Sequence, residues 1–318
     1  MTNRHELSRR HFVQASAAAG AGIWLGAGAT RAVANPTRES KAEVAVKEFY
    51  STLSDSQKEK ICFPFEHEKR KRINANWGVT DPEIGSDFYT KAQRETIKNV
   101  LKQITSEEGY ERFLKQMEED AGGWDAYHVG VFGDPNSSLF QFLLTGRHIT
   151  LRADGDSVPG YAFGGAVIYG HGEEDPSENI YHYQTKQANK VFGALNEDQR
   201  AKAMVEKAPR ENAVELQGAK GQFTGVSVST FSDDQKQLVK ETIDVMLAPY
   251  RKEDRDEVHT MLEHNGGIEQ LHMTYYRQGD LKNDKVWDIW RVEGPALVWH
   301  FRGAPHAHTY LNIGQKQG

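Results

Sequence analysis

Cysteine is almost absent from this sequence: Cys62 is the only one among 318 residues. A single cysteine cannot form an internal disulfide, so a folded core, together with a metal if one is bound, has to stabilise the protein. Cys62 stands between Ile61 and Phe63. This apolar setting favours a buried side chain over a reactive nucleophile.

Long hydrophobic runs and common catalytic motifs are also missing. After residue 34, no segment approaches the roughly 18 consecutive apolar residues of a membrane-spanning helix. The sequence contains no Gly-x-Ser-x-Gly elbow, no His-Glu-x-x-His pair, no phosphate loop and no dinucleotide fingerprint. The chain therefore predicts no membrane span after residue 34, and it points to no hydrolase or nucleotide-binding enzyme with a familiar motif.

The N-terminus has the layout of an export signal. The arginine pair Arg9-Arg10 precedes a run rich in alanine and glycine at 15–29 and a small-residue cleavage site at 32–34. The paired arginines indicate the twin-arginine export machinery, and the run is too short and too rich in glycine for a stable membrane anchor. We expect residues 1–34 to be removed, residues 35–318 to form a single domain, and the mature protein to be periplasmic or secreted.

The mature chain has little positive charge. Residues 1–34 carry four arginines and one glutamate, so their removal takes the formal net charge from −6 to −9. An acidic protein is a poor candidate for binding nucleic acid or an anionic membrane surface. One basic run, Lys69-Arg70-Lys71-Arg72, stands out before Ile73. It fits either an anion-binding site or the solvated face of a helix.

Apolar spacing predicts an α+β fold, with a mostly antiparallel sheet and a C-terminal meander flanked by helical segments. Residues 40–120 and 184–264 have helical spacing, and a long loop rich in glycine and proline is predicted from 154 to about 176. The predicted strands are 127–132, 139–144, 148–151, His272–Arg277, Val286–Val292, Ala296–Arg302 and His306–Ile313.

Ser54, Asn196 and Ser232 share a helix-start pattern. Each is followed three residues later by glutamine, the arrangement of a capping box. The pattern predicts that a helix begins at each position. The spacings are unequal, which argues against a solenoid repeat.

Histidine is the residue type that points to chemistry. On a strand, His306 and His308 project from the same face, because side chains alternate with period two. With His148, predicted on another strand, they would hold a zinc, copper or iron ion. His300 is a candidate fourth ligand or partner, and His171 and His272 are further candidates. The alternative is that these histidines are polar residues of an open sheet.

Several short segments occur in the order of a known family: Tyr127–Pro135, Leu144–Ile149, Val292–Val298 and Pro305–His308. Together they resemble an uncharacterised exported family, domain of unknown function 3500, whose members show a Phe-Gly-x-Pro turn, a Gly-Arg/His-His-Leu strand and a C-terminal His-x-His. The resemblance covers most of the mature chain and singles out His148 beside His306 and His308. At position 300 the family pattern has an acid where this chain has histidine. The family supplies no reaction.

Three hypotheses for function follow. The first is an exported metal-dependent enzyme, hydrolytic or redox, with an open coordination position at the histidines. The second is a non-catalytic protein of the cell envelope that binds a metal or small ligand and closes the ion off with a fourth protein ligand. The third is an interaction module without a metal. No catalytic residue is singled out; candidate carboxylates are Glu173, Glu174, Asp175, Asp288 and Glu293.

Overall fold

The computed structural model describes residues 35–137 and 139–315, so the predicted export signal lies outside the described residues. The helices in this part are α1 (Lys41–Ser51), α2 (Asp55–Ile61), α3 (Lys91–Ile104), α4 (Glu107–Ala121), α5 (His182–Ala194), α6 (Glu197–Ala203), α7 (Asp233–Leu247) and α8 (Lys252–His264). The strands are β1 (Cys62–Phe63), β2 (His128–Gly133), β3 (Phe140–Gly146), β4 (Ile149–Ala153), β5 (Val167–His171), β6 (Met204–Val205), β7 (Val226–Ser227), β8 (His272–Tyr276), β9 (Ile289–Gly294), β10 (Leu297–Arg302) and β11 (Ala307–Ile313).

The strands form one sheet. From each edge to the centre, neighbouring strands follow one another in chain order. The order is β1-β2-β3-β4-β5-β11-β10-β9-β8-β6, with β7 paired to β8. Each edge strand, β1 or β6, pairs in parallel, and the other pairs are antiparallel. The predicted α+β class with a mostly antiparallel sheet and a C-terminal meander is therefore confirmed.

The mirrored order reflects two structurally similar halves. Each half begins with a helix, a short capped helix and a two-residue edge strand, and ends with four antiparallel strands. In the first half the capping glutamines Gln57 and Gln93 donate to each other across 36 residues, at 3.0 and 3.1 Å. In the second half Gln199 and Gln235 do the same across 36 residues, at 3.1 and 2.9 Å. The chain thus contains an internal structural repeat.

The predicted helix starts are confirmed. The side chains of Ser54, Asn196 and Ser232 each accept a hydrogen bond from the backbone N–H of the glutamine three residues on, and the side-chain oxygen of that glutamine accepts one from the cap backbone N–H. Thr90 forms a fourth capping box of the same kind. The three predicted boxes belong to equivalent positions of the two halves, not to a linear array.

The two faces of the sheet are covered differently. All eight described helices contribute to the main core on one face, where the tightly packed side chains include Phe113, Tyr169 and Trp290. The other face is covered by two irregular segments, one in each half. Residues 73–79 lie over the first half and residues 213–216 over the second. This second face carries most of the buried polar side chains described below.

Three of the predicted segments are wrong. Residues 62–90, within the stretch predicted to be helical, contain β1, a 3-10 turn and irregular chain. The supposed loop from 154 to 176 contains β5, a central strand buried along its whole length. Glycines on both sides of its apolar residues gave a loop signal, whereas pairing with two neighbouring strands decides the structure. Residues 204–232 are not helical but contain β6, β7 and the covering segment. None of the helices in the described part of the chain is long and apolar enough to cross a membrane.

Candidate metal centre

Strand β11 presents two of the predicted histidines on the irregularly covered face. His308 pairs with Arg302 of β10 on one side and with Gly170 of β5 on the other. His306 lies two residues earlier, just before the strand begins. A side chain at position 170 would meet the Ala307 carbonyl oxygen at 2.1 Å. Glycine is therefore required there for β5 to approach the histidine strand.

His148 reaches the same place from the turn between β3 and β4. The prediction that it lies on a strand is wrong: Gly146 pairs with Ile149, so Arg147 and His148 form a two-residue turn. His148 has a left-handed backbone with φ 58°. Its N–H donates to the Ala75 carbonyl oxygen at 2.6 Å. That bond to the covering segment helps to hold a conformation that non-glycine residues rarely adopt.

The three imidazoles converge on one point. One ligand nitrogen from each of His148, His306 and His308 lies within 4.8 Å of the other two. The ring centroids of His148 and His308 are 4.8 Å apart, and His306 lies 5.6 and 6.3 Å from them. Zinc–nitrogen bonds of about 2.1 Å in a tetrahedral site put the ligand nitrogens about 3.4 Å apart. His306 is partly exposed, so a rotation of its side chain would bring the set closer to that spacing.

A buried carboxylate orients His148. Near the end of α4, Asp120 accepts a hydrogen bond from His148 Nδ1 at 2.7 Å. The same carboxylate accepts from Gln116 Nε2 at 2.5 Å and from the Gly172 N–H at 2.6 Å. Burial acts to raise the pKa of Asp120, but the bonds from His148 and Gln116 hold it below its ordinary value. The charged Asp120 fixes the His148 tautomer and leaves Nε2 as an electron-pair donor.

A second carboxylate orients His308. Glu211, from the segment after β6, lies with Oε2 2.8 Å from His308 Nδ1. Arg302 lies 2.7 Å from both Glu211 Oε1 and His308 Nδ1, and its charge keeps the carboxylate in place. Burial acts to raise the pKa of Glu211, but the bond from His308 lowers it overall. Among the described residues, His308 Nε2 is buried and has no hydrogen-bond partner, so its electron pair is free to coordinate a metal ion.

Burial favours the neutral form of His306 and His308. Burial lowers the pKa of His308, and the hydrogen bond to Glu211 only partly opposes this. Burial also lowers the pKa of His306, with further contributions from the neighbouring His148 and Arg147. Neutral imidazole is the form that binds metals. The site is therefore prepared for an ion at neutral pH.

The other histidine candidates lie outside this cluster. His300 of β10 faces the same side as His308 but pairs with Tyr310, and its ring is 6.1 Å from Tyr276. Burial lowers the pKa of His300 to about 3, and its Nδ1 has no partner among the described residues. His171 pairs with Ala307, so it faces the helical side, where it bonds Glu119 at 2.8 Å. His272 is on β8, three strands from β11.

Asp120 and Glu211 were not among the carboxylates singled out from the sequence. Of those, Glu174 is near enough to affect the titration of His306, whereas Asp175 pairs with Lys282 and Glu293 with Arg291. Asp120 is 28 residues from His148, and Glu211 is 97 residues from His308. No local pattern links such distant positions, so only the folded chain brings them together.

Comparison with known proteins identifies the chain at the level of a family. A family model described as "Protein of unknown function (DUF3500)" matches residues 36–313. No curated protein and no solved structure matches the chain. The match extends over most of the sequence and includes all three clustered histidines. The chain therefore belongs to the DUF3500 family of proteins of unknown function.

Proposed function

We propose that this protein is an exported metal-dependent enzyme whose ion is held by His148, His306 and His308. The observation that carries the proposal is the pairing of two of these rings with carboxylates, of which Asp120 is buried and Glu211 half-buried. Asp120 and Glu211 each lie within hydrogen-bond distance of Nδ1 of a histidine, which leaves Nε2 of both rings available as the ligand atom. Carboxylate–histidine–metal arrangements orient the ligand and increase its basicity.

An open coordination position favours catalysis over storage. In the described part of the chain, the cluster contains three histidines and no fourth histidine, cysteine or carboxylate. Catalytic zinc sites keep three protein ligands and one position for water or substrate, whereas structural sites are closed by four. Bound zinc would lower the pKa of a water molecule and support hydrolysis; copper or iron in the same site would support redox chemistry.

Glu174 is the carboxylate that we propose assists the reaction. It is exposed, and its charge partly opposes the lowering of the His306 pKa by burial. A carboxylate can accept a proton from an attacking water. Arg147, in the turn beside His148, carries a positive charge that acts to lower the pKa of His306.

We also propose that the protein works in the periplasm or outside the cell after twin-arginine export. Cofactors inserted before export are a common reason for using that route, which is consistent with a site built from distant parts of a folded chain. The alternative function is non-catalytic binding of a metal or small ligand in the envelope. The unpartnered Nδ1 of His300, on the same face, is the observation that favours a closed variant of the site.

Metal content tests the proposal. Protein exported natively and purified without chelators should contain about one equivalent of a single transition metal. The double variant His306→Ala/His308→Ala should contain none, because it retains one ligand. His272→Ala is the matched control, since it removes a histidine of the same sheet three strands away and should retain the metal.

The outcomes separate the hypotheses. No metal in the wild-type protein, or equal metal in the wild type and the double variant, would reject the centre. Loss of metal in His300→Ala, with a fold unchanged by circular dichroism, would favour the closed site and a binding function. A water-exchangeable position, measured by electron–nuclear resonance on the cobalt-substituted protein, would favour the enzyme.

A further inference from the structure

The internal repeat gives the metal centre a counterpart position in the other half. The turn that closes β3 and β4 at Gly146 and Ile149 corresponds to the turn that closes β9 and β10 at Gly294 and Leu297. His148 is the second turn residue in one half, and Ala296 is the second in the other. The counterpart corner thus lacks the first of the three ligands.

The same comparison applies to the central strands. Thr150 pairs with Ile168 in the first half, as Val298 pairs with Asn312 in the second. Ile168 is therefore equivalent to Asn312, and counting back along both strands makes Gly164 equivalent to His308. Ala162 likewise stands where the other half has His306. The counterpart corner has two alanines and a glycine in place of three imidazoles.

A cavity lies beside Gly164, the counterpart of His308. It has a volume of about 500 Å³, and its lining includes Gly164, Arg152 and Asn312. Arg152 is the equivalent of His300 by the same pairing. The cavity therefore occupies the same face of the sheet as the metal centre and is a separate site.

The charge of this corner is opposite to that of the metal centre. The segment after β6 supplies Glu211; the equivalent segment after β1 supplies the basic run Lys69–Arg72. Three cations line the cavity, Arg70, Lys71 and Arg152, against one carboxylate, Glu66, which is largely exposed. Glu66 is the ion-pair partner of two of these cations, at 3.6 Å from Arg70 and 3.3 Å from Lys71. The cavity thus has an excess of positive charge.

Arg152 holds the basic run in position. Its guanidinium donates to the carbonyl oxygens of Arg70 at 2.6 Å and Arg72 at 3.3 Å, and to that of Ala166 at 2.6 Å. Burial and the adjacent Arg70 lower the pKa of Arg152 to about 10, which Asp154 opposes. Two adjacent cations in a buried place are costly unless an anion joins them.

The other residues that line the cavity indicate which further groups a ligand would carry. Asn312 donates through Nδ2 to the Val214 carbonyl oxygen at 2.9 Å, but its buried Oδ1 has no partner among the described residues. A buried acceptor of this kind requires a donor. Between Asn312 and the basic run the cavity is lined by apolar groups, including Ile73, Val158 and Tyr161.

We propose that this cavity binds a small organic acid. Its carboxylate would contact Arg70 and Lys71, its apolar body would pack on Ile73 and Val158, and a hydroxyl or amino group would donate to Asn312 Oδ1. The basic run, which the sequence left open between an anion site and a solvated face, then has an assigned role. The site is distinct from the metal centre and does not depend on it.

Calorimetric titration tests the assignment on the full mature protein. The probe is 4-hydroxybenzoate, and 4-hydroxybenzamide is its neutral counterpart. We expect the acid to bind with a Kd below about 1 mM and the amide to bind about tenfold more weakly or worse, because a charge-assisted contact is lost. Arg70→Gln should weaken binding of the acid by a similar factor, and Arg70→Lys should restore part of the lost affinity.

Two further variants keep the test decisive. The double variant His306→Ala/His308→Ala should bind the acid with unchanged affinity, which separates the cavity from the metal. Val158→Trp should abolish binding by filling the cavity without changing its charge. The proposal would be overturned by undetectable binding of the acid, by equal affinity in Arg70→Gln, or by loss of binding in the double histidine variant. Melting temperatures of all variants identify any that fail to fold.

Discussion

The two corners of the irregularly covered face share a backbone and differ in chemistry. One has His148, His306 and His308, with a carboxylate hydrogen-bonded to two of the rings. The other has alanine and glycine at the equivalent positions, an open cavity and an excess of arginine and lysine. Strand pairing is the same in both, down to the residues that close each turn. Function in this fold is therefore determined by side chains placed on a repeated frame.

The difference also shows why the metal centre cannot belong to one half alone. His148 comes from the first half and His306 and His308 from the second, and they meet where β5 of one half pairs with β11 of the other. An ion bound there would link the halves. The counterpart cavity likewise takes Asn312 from the second half and its cations from the first.

The largest effect is expected where the halves are tied together on the helical side. Arg251, at the start of α8, donates to both carboxylate oxygens of Glu43 in α1 at 2.8 Å and to Asp254 at 3.0 Å. Arg251→Met leaves buried carboxylates without their cation and should lower the free energy of unfolding by about 3–5 kcal/mol. Denaturant titration measures this change in the free energy of unfolding.

Lys252→Met is the matched control for that variant. Lys252 is the next residue, and its ion pair with Asp256 is exposed, so its loss should cost less than about 1 kcal/mol. Equal destabilisation by the two substitutions would show that the buried network does not hold the halves together.

The second effect tests whether the two corners are interchangeable. Gly164, the equivalent of His308, has φ 69°, and a Cβ there would lie 2.3 Å from Gln141 Nε2 and 2.5 Å from Asp154 Cγ. Gly164→Ala should therefore cost about 2–4 kcal/mol in unfolding free energy from strain and overpacking. Thermal unfolding with circular dichroism provides the measurement.

The control is Gly193→Ala, in helix α5, where an added Cβ meets nothing within 4 Å. That change should stabilise the protein slightly, because alanine favours a helix over glycine. If Gly164→Ala were equally harmless, the counterpart corner could accept a side chain, and its divergence from the metal centre would not be fixed by the backbone.

Local patterns predicted much of the fold and the candidate ligands but not the surroundings of those ligands. The capping boxes at Ser54, Asn196 and Ser232 and the shared face of His306 and His308 depend on residues within a few positions, so the sequence shows them. The position of His148 in a left-handed turn depends on a bond to Ala75, more than 70 residues away in the chain. Such long-range contacts leave no periodic signal.

The internal repeat was hidden for a related reason. Only the capping boxes and a few flanking residues are similar between the halves, because the buried positions accept many apolar residues of suitable size. Strand β5 was missed because its flanking glycines indicate a loop, although Gly170 is needed for close strand approach. In both cases the tertiary contact, and not the local pattern, sets the structure.

The third expected effect is on metal affinity at the histidine cluster. Asp120→Asn keeps the shape of the side chain but removes the charge that fixes His148, and it should weaken metal binding about 10–100-fold. Competition with a fluorescent chelator measures the affinity. Glu119→Gln is an adjacent control: Glu119 bonds His171 on the opposite face, so its change should leave the affinity unaltered. Equal losses in both variants would mean that general charge, not orientation of His148, matters.

The smallest expected effect is on the pH dependence of the free energy of unfolding, through an acidic residue on the helical side. Burial, with the neighbouring Asp254, raises the pKa of Glu257 to about 8 from 4.5. The folded-state pKa of Glu257 lies above the unfolded value, so the protein is stabilised by protonated Glu257. This contribution to the free energy of unfolding is fully present below pH 4.5 and is lost as the pH rises towards 8. Because Glu257 keeps some solvent contact, we expect a loss of about 2 kcal/mol over that window, smaller than the full shift implies.

Glu257→Gln should remove this part of the slope and leave a protein that is more stable than the wild type at pH 8 and similar to it near pH 4.5. Glu263→Gln makes the same change in charge at an exposed position of α8 and should keep the wild-type slope. Unfolding free energies at several pH values provide the comparison. A Glu257→Gln protein with the wild-type slope would show that Glu257 is already ionised beside Arg251, and that the acids between the halves are balanced by their single buried cation.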